Sequence, residues 1–453
     1  MSTKKPQIKH RNSPVSDFIA VPGGMPVDPR PTGLPVGWCS DSAAPKKPRI
    51  GFTSSLPAST LIEILNYAGD GHLMTIAPTG AGKGRCAAIP ALLRYPGSTL
   101  TLDLKGEAYH ITARQRKRMG HRVVVLDPFH IATKNTDCLN PFDLFTLPGG
   151  APDIDSEHLA ELLCGGQPIS SNDLFWERNG KALLVGLIGL SNEDADASKK
   201  NIGQVLDYLY ADDVDYSIAL KLDTHQFTNV LAKQELCAYL QHESEKCRPS
   251  VRSTAQCMVK CLGSETVREF LSRTTFDLMD WLRGEPIDIY LIFPPDKLDS
   301  HRPLLRLILG ALLTILCRRT KMPAHRTLLL LDEIAQCGTL AHLRTALTLL
   351  RGYGVQVWTM WQDLSQLKQL YAADWETILN NSAVIQAFGL SNGWAAKPVA
   401  EIMDMTAGEL LAMGKNRQAL LRPGRGAQIT RRVDYLSDSV FSGLFDANPR
   451  YSR

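Results

Sequence analysis

The chain has 453 residues, 21% of them charged and 44% hydrophobic, which fits an ordinary globular protein of two or three domains. Its formal net charge of +4 is uneven: residues 1–50 hold eight Lys/Arg against three Asp, so the remaining 403 sum to about −1 and bulk charge does not point to nucleic acid. The longest uncharged apolar run, Leu307–Cys317, has 11 residues, short of the roughly 20 that a membrane span needs, and the polar opening MSTKKPQIKH is not a signal peptide.

Residues 1–50 carry nine of the 27 prolines together with the excess positive charge, a composition expected of an extended leader, either a partner-binding arm or a solubilising tail. From residue 70 short β-rich runs alternate with helical ones. LMTIAP (73–78), STLTLDL (98–104) and RVVVLDPF (122–129) are apolar, β-branched and bounded by turns, the pattern of buried strands. A helix starting at Lys83 and the basic stretch AYHITARQRKRMGH fall between them, so the order predicts a parallel α/β sheet. The basic run Arg114–Arg118 within that stretch reads as an exposed helix face or a DNA contact.

Residues 153–283 lose the β character and carry helical periodicity, as in LFWERNGKALLVGLIGL and TAQCMVKCLGSETVREFLSRT. Strands return with IDIYLIFP (287–294), TLLLLDE (327–333), VQVWTMWQD (355–363) and AVIQAFGL (383–390), and RQALLRPGRGAQITRRVDYL (417–436) reads as a hairpin. The expected organisation is therefore a leader (1–50), a first part of an α/β domain (51–152), an inserted all-α domain (153–283) and the second part of the α/β domain (284–453). The ten cysteines contain no CxxC pair and read as reduced thiols.

The chemistry begins at IAPTGAGKGRCAAIP (76–90). Strand, glycine-rich loop and helix are the context in which backbone N–H groups and a helix N-terminus cradle phosphates. Thr79, Gly80, Ala81, Gly82, Lys83 and Gly84 are the candidate nucleotide-binding residues, with Lys83 reaching the terminal phosphates. Two positions depart from the P-loop pattern: Ala77 stands where a glycine is usual, and Gly84 stands where Ser or Thr would offer a hydroxyl to Mg²⁺. Downstream, TLLLLDE ends an apolar strand in two carboxylates, the Walker B arrangement, with Asp332 as candidate Mg²⁺ ligand and Glu333 as the base for the attacking water. Gln362, closing the next strand, is placed to sense a γ-phosphate or orient water. Arg351, in LTLLRGYG, either caps its own helix C-terminus or enters a neighbouring subunit's site as a catalytic arginine.

The segments GDGHLMTIAPTGAGKG, IPALLRYPGSTLTLDLKGE, GHRVVVLDPF, LLLLDEIAQCGTL and LLRGYGVQVWTMWQDLSQLKQLY occur in this order. Together they resemble the TraG-like coupling proteins of bacterial conjugation and type IV secretion, relatives of the FtsK and HerA DNA-translocating ATPases. The resemblance implies a RecA-like α/β nucleotide-binding domain with an all-α insertion, ATP and Mg²⁺ as cofactors, and a homo-hexameric ring when active. It implies single-stranded DNA with its relaxase, or protein effectors, as cargo, and type IV secretion channel components as partners. It also makes Gly84 a family trait. Such proteins usually begin with two transmembrane helices, and this chain shows none. The expectation is a soluble variant in the bacterial cytoplasm, peripheral at the inner face of the membrane through a small anchoring partner. Two other readings stay open: a nucleotide-binding recruitment platform with little motor activity, and a coupling protein for effectors only.

Overall fold

The apolar runs in the sequence become the buried strands of a single sheet. The computed structural model describes residues 18–22, 33–39, 63–165, 174–338 and 341–451. The strands among them are β1 (Phe18–Pro22), β2 (Leu34–Trp38), β3 (Glu63–Tyr67), β4 (His72–Ile76), β5 (Thr99–Asp103), β6 (Arg122–Leu126), β7 (Ile287–Ile292), β8 (Thr327–Leu331), β9 (Val355–Trp361), β10 (Ser382–Ala387), β11 (Arg417–Arg422) and β12 (Gly426–Arg431). Their order across the sheet is β1-β3-β2-β12-β11-β10-β4-β9-β8-β5-β7-β6. From β10 to β6 every neighbouring pair is parallel; the strands from β1 to β11 are paired antiparallel.

Strands β4, β5, β8 and β9 are buried along their whole length, as expected where helices cover both faces of a parallel sheet. Successive side chains point to opposite faces. Leu329 and Leu331 join a core that includes the helix Arg302–Cys317 and the helical insertion. Leu328 and Leu330 join another, with Leu92 of the helix Ile89–Arg94 and Ile111 of the helix Glu107–Arg118.

Between β6 and β7 the described residues form helices and no strand, from Pro152–Cys164 and Leu174–Asn192 through to Leu278–Arg283. Two arginines fasten this insertion to the core. Arg306 donates to the carbonyls of Leu162 and Leu163 at the end of the helix Pro152–Cys164. Arg318 pairs with Asp155 near that helix's start and donates to Leu144 O at 2.5 Å. Cations that satisfy the last carbonyls of a helix also complement its dipole.

The proline-rich leader differs from its reading as an arm apart from the core. Residues 18–22 and 34–38 are strands of the sheet, and Leu34, Val36 and Trp38 are buried; the rest of 1–50 lies outside the described residues, apart from Gly33 and Cys39. Pro35 is tolerated because the register of β2 against β3 shifts between Pro35 and Gly37, the kind of irregularity at which a strand accommodates a residue with no N–H. A buried polar chain then stitches the antiparallel strands to the parallel ones. Trp358 Nε1 donates to Thr75 Oγ1, Thr75 to Gln386 Oε1, and Gln386 Nε2 to Val36 O, each at 2.8 Å, while Gln418 Nε2 also reaches Val36 O at 2.5 Å.

Within the basic run Arg114–Arg118, Arg116 is fully buried rather than exposed. Its guanidinium takes both oxygens of Asp288 on β7 at 2.6 Å and donates to Leu92 O and Gly97 O. Asp288 also accepts the N–H and hydroxyl of Thr99. Burial pushes the Asp288 carboxyl up, but the Arg116 charge and the bonds from His121 and Arg116 outweigh it, so it lies below the usual carboxylate range. The pair joins chain from before the insertion to chain after it. Asp288→Ala leaves the Arg116 charge buried without its counter-ion, and is expected to lower the unfolding free energy by about 3–5 kcal/mol. Urea unfolding checks this; a loss below about 1 kcal/mol, the scale of an exposed pair, would mean the pair is not structural.

Candidate functional site

β9 lies between β4 and β8, so the loop after β4, the end of β9 and the carboxylates after β8 share one edge of the sheet. Ile76 pairs with Trp361, and Leu331 with Thr359. The glycine-rich loop leaves β4 with Ala77 N–H bonded to Trp361 O at 2.9 Å and closes a turn through Ala81 N–H to Pro78 O at 3.1 Å. Gly80 and Gly82 have φ of +77° and +97°, conformations that residues with a Cβ rarely adopt. Lys83, 6% exposed, directs Nζ to Ala77 O at 2.9 Å and Pro78 O at 3.5 Å. The helix that follows opens with a wide turn, Ile89 N–H reaching Gly84 O, next to Pro90, which has no N–H to continue the ladder.

Asp332 and Glu333 follow β8 directly. Glu333 has φ +49°, an uncommon backbone state for a side-chain-bearing residue, and its N–H is bonded to Asp332 Oδ1 at 2.9 Å. Burial, then the adjacent Glu333 charge, push the Asp332 carboxyl up to about 6, against the pull of Lys83. Burial lowers Lys83, while Asp332 and Glu333 oppose that shift. These opposite charges line one cavity of about 450 Å³ together with Thr79, Gly80, Gly82 and Gly84. Ala81 does not line it; it carries the carbonyl by which the loop is held from outside.

Gln362 lies at the same edge, one residue beyond Trp361, with its N–H on Gln366 Oε1 at 3.1 Å; it is not part of the cavity wall. Arg351 lies at the other end of the strands. It precedes β9, whose seven residues rise about 3.3 Å each, so about 20 Å separates that end from Gln362. There it pairs with Asp70 at 2.5 Å, and this bond, with burial opposing it, lowers the Asp70 carboxyl.

Several contributors are not among the candidate residues that the sequence points to. Asp103, at the end of β5, lines the cavity and accepts the N–H groups of Lys105, Glu107 and Tyr109 at 3.0–3.3 Å, despite burial that raises its carboxyl. Its visible signal was an acid closing an apolar strand, as in TLLLLDE. Arg432, just past β12, donates to Ala81 O at 2.8 Å and stacks on Phe388, and Arg85 makes a two-pronged bond to Asp434. The hairpin continuation thus holds the loop and its helix from outside, a contact between residues some 350 apart that local pattern cannot reveal.

Among the described residues no three of His, Cys, Asp and Glu gather into a ready-made metal site. A Mg²⁺ carried by a triphosphate needs only one or two carboxylates, because phosphate and water oxygens fill most of its octahedron. Asp332 and Glu333, in the same cavity as Lys83, fit that requirement.

The family model described as type IV secretory system conjugative DNA transfer matches residues 46–404. The chain belongs to this family. It is 26% identical over 381 residues to the conjugal transfer protein TraG of Escherichia coli, covering 79% of this chain and 59% of TraG. It is 29% identical over 318 residues to the protein VirD4 of Rhizobium radiobacter, covering 69% of this chain and 45% of VirD4. The chain thus spans about half the length of these curated relatives. A structure of the plasmid coupling protein TrwB with ADP and Mg²⁺ aligns with a TM-score of 0.59 at 17% identity, over 80% of this chain and 84% of that one. At that identity the likeness concerns the fold alone, a RecA-like α/β domain with an all-α insertion. No described helix of this conjugative-transfer family member is long and apolar enough to cross a membrane.

The loop's glycines differ in what they tolerate. A Cβ at Gly84 meets nothing within 4 Å and its φ is not left-handed, whereas Gly82 is held at +97°. Gly84→Thr is therefore expected to keep or raise the melting temperature, while Gly82→Ala lowers stability by about 1 kcal/mol. Thermal unfolding of the two variants checks this; equal losses would mean that the loop geometry is not set by these backbone angles.

Proposed function

We propose that this chain is an ATP-hydrolysing coupling protein that recruits relaxase-bound single-stranded DNA, or protein effectors, and drives it to a type IV secretion channel. The observation that carries the reading is the single cavity in which the Gly80–Gly84 loop, Lys83, Asp332 and Glu333 meet. Membership of the conjugative DNA-transfer family supports the cargo, and TrwB, of similar fold, has been solved with ADP and Mg²⁺.

In this reading the N–H groups of 80–84 and the start of the following helix face the phosphates. Lys83 exchanges its bonds to Ala77 O and Pro78 O for terminal phosphate oxygens. Bound Mg²⁺ supplies charge neutralisation on the transferring phosphoryl group. Asp332, once deprotonated, holds the cation, and Glu333 accepts a proton from the attacking water. Gln362, just past the end of the strand between loop and carboxylates, orients that water. Arg351 lies at the far end of its own strands, which supports a role in a neighbouring copy's site rather than its own; it must first leave Asp70. A homo-hexameric ring provides such a neighbour. Membership of the conjugative DNA-transfer family supports action at the cytoplasmic face of the membrane, with a small membrane-anchoring partner.

A second reading, a nucleotide-binding recruitment platform with little turnover, is favoured by Gly84, which offers no hydroxyl to the metal shell. ATPase rate against protein concentration, with and without single-stranded DNA, separates the two. The motor predicts a cooperative rise stimulated by DNA, with Lys83→Ala and Glu333→Gln each lowering turnover at least about 100-fold, the scale of losing a positioned charge or base, and Arg351→Ala doing so only through assembled sites. Binding without turnover under all these conditions would favour the platform and overturn the motor.

A further inference from the structure

The cavity that holds Lys83 and Asp332 has a second wall, which phosphate chemistry does not use. Tyr435, Leu436, Asn448 and Tyr451, from the C-terminal segment, form it. Leu436 is 53% exposed and Tyr451 80%, two large apolar side chains left uncovered at the rim of one pocket.

The segment is fastened on both sides of the cavity. Asp438 accepts Trp38 Nε1 and Asp434 N–H, both at 2.8 Å, and pairs with Arg431, which roots the segment on β2 and β12. Farther along, Asp446 N–H bonds to Ile111 O at 3.0 Å, and Arg114 bonds to the Asp446 carboxylate at 2.6 Å and Phe445 O at 3.1 Å. Phe445 meets the Tyr435 ring edge-on at 4.8 Å. The helix Glu107–Arg118, whose first turn lines the pocket, therefore also positions this wall.

Of the charged groups around this wall, Arg114 is matched by Asp446 and Arg85 by Asp434, and Arg450 lies 3.7 Å from Glu107. What the C-terminal segment itself adds to the pocket is aromatic and aliphatic surface and the amide of Asn448, whose Oδ1 accepts the Arg450 N–H at 3.0 Å, a wall suited to a flat heterocycle rather than to an anion. A volume of about 450 Å³ falls in the range of small-molecule sites.

We infer that Tyr435–Tyr451 is the base subsite of the nucleotide pocket: the nucleobase lies against Leu436 and Tyr451, and the Asn448 amide meets its polar edge. The inference rests on the phosphate-binding reading of the 79–84 loop and assigns the other end of the same ligand. Beside the bond from Arg450 N–H, the Asn448 amide keeps its two Nδ2 donors and a second Oδ1 lone pair, so it serves either purine, and the subsite selects a base over no base more strongly than adenine over guanine.

Isothermal titration with ATP and with inorganic tripolyphosphate, both with Mg²⁺, tests this. The inference expects Leu436→Ala/Tyr451→Ala to weaken ATP about tenfold, the scale of losing a stacking face and its apolar contact, and Tyr451→Phe to bind ATP as the parent does. Tripolyphosphate affinity is expected to stay unchanged throughout, which also shows the variants are folded. Unchanged ATP affinity in the double variant overturns the base subsite while tripolyphosphate binding leaves the loop reading standing. Equal losses for both ligands also overturn it, since the segment would then support the fold rather than the base. If the parent binds neither ligand, both readings fall.

Discussion

The site depends on keeping one ammonium and two carboxylates in the same buried cavity. Lys83 is drawn toward neutrality by burial and held charged by Asp332 and Glu333, while Asp332 is pushed toward its protonated form by burial and by Glu333. The charge states of Lys83 and Asp332 thus depend on the groups around them, and that balance is poised to change when a polyanion and a cation enter. The sheet order permits this: the strand carrying the loop and the strand carrying the carboxylates are separated only by β9, whose end brings Gln362 to the same edge.

That order has to survive an insertion of helices between β6 and β7. The structure meets this demand with buried polar contacts that cross long sequence distances. Arg116 and Asp288 lock β7 to chain that precedes the insertion, and Arg306 and Arg318 dock the helices on the core. On the opposite flank, Thr75, Gln386 and Gln418 extend the parallel strands into the antiparallel ones through Val36. Arg432 and Asp434 then carry that flank back onto the loop. The loop is held from below by its own strand and from outside by chain some 350 residues away.

What the sequence disclosed follows from what is local. Every run read as a strand from residue 73 onward is one, and the hairpin at 417–436 is present, because fully buried parallel strands are apolar throughout and turns carry Pro and Gly. The carboxylates after β8 were legible for the same reason. Contributions made at long range were not. β2 was hidden by a proline-rich, basic context that local composition assigns to an arm. Arg116 was indistinguishable from its exposed neighbours in RQRKR, since only the tertiary fold places Asp288 beneath it. The second wall of the cavity, from Tyr435 to Tyr451, has no local pattern at all. Arg351 was legible as a helix-end arginine, but only the sheet shows that it stands at the wrong end for its own loop.

The central claim is that the raised Asp332 carboxyl is the group that takes up the cation arriving with the nucleotide. Proton exchange on binding measures this directly. Titrating the protein with ATP in excess Mg²⁺ near pH 6, in two buffers of different ionisation enthalpy, gives the number of protons released. With Asp332 at about 6, the free protein holds a fraction of a proton there, which metal binding expels. The account predicts net proton release that fades above about pH 7, once the carboxyl is already ionised, and that is absent in Asp332→Asn. Release of the same size in Asp332→Asn, or none in the parent protein, would contradict it.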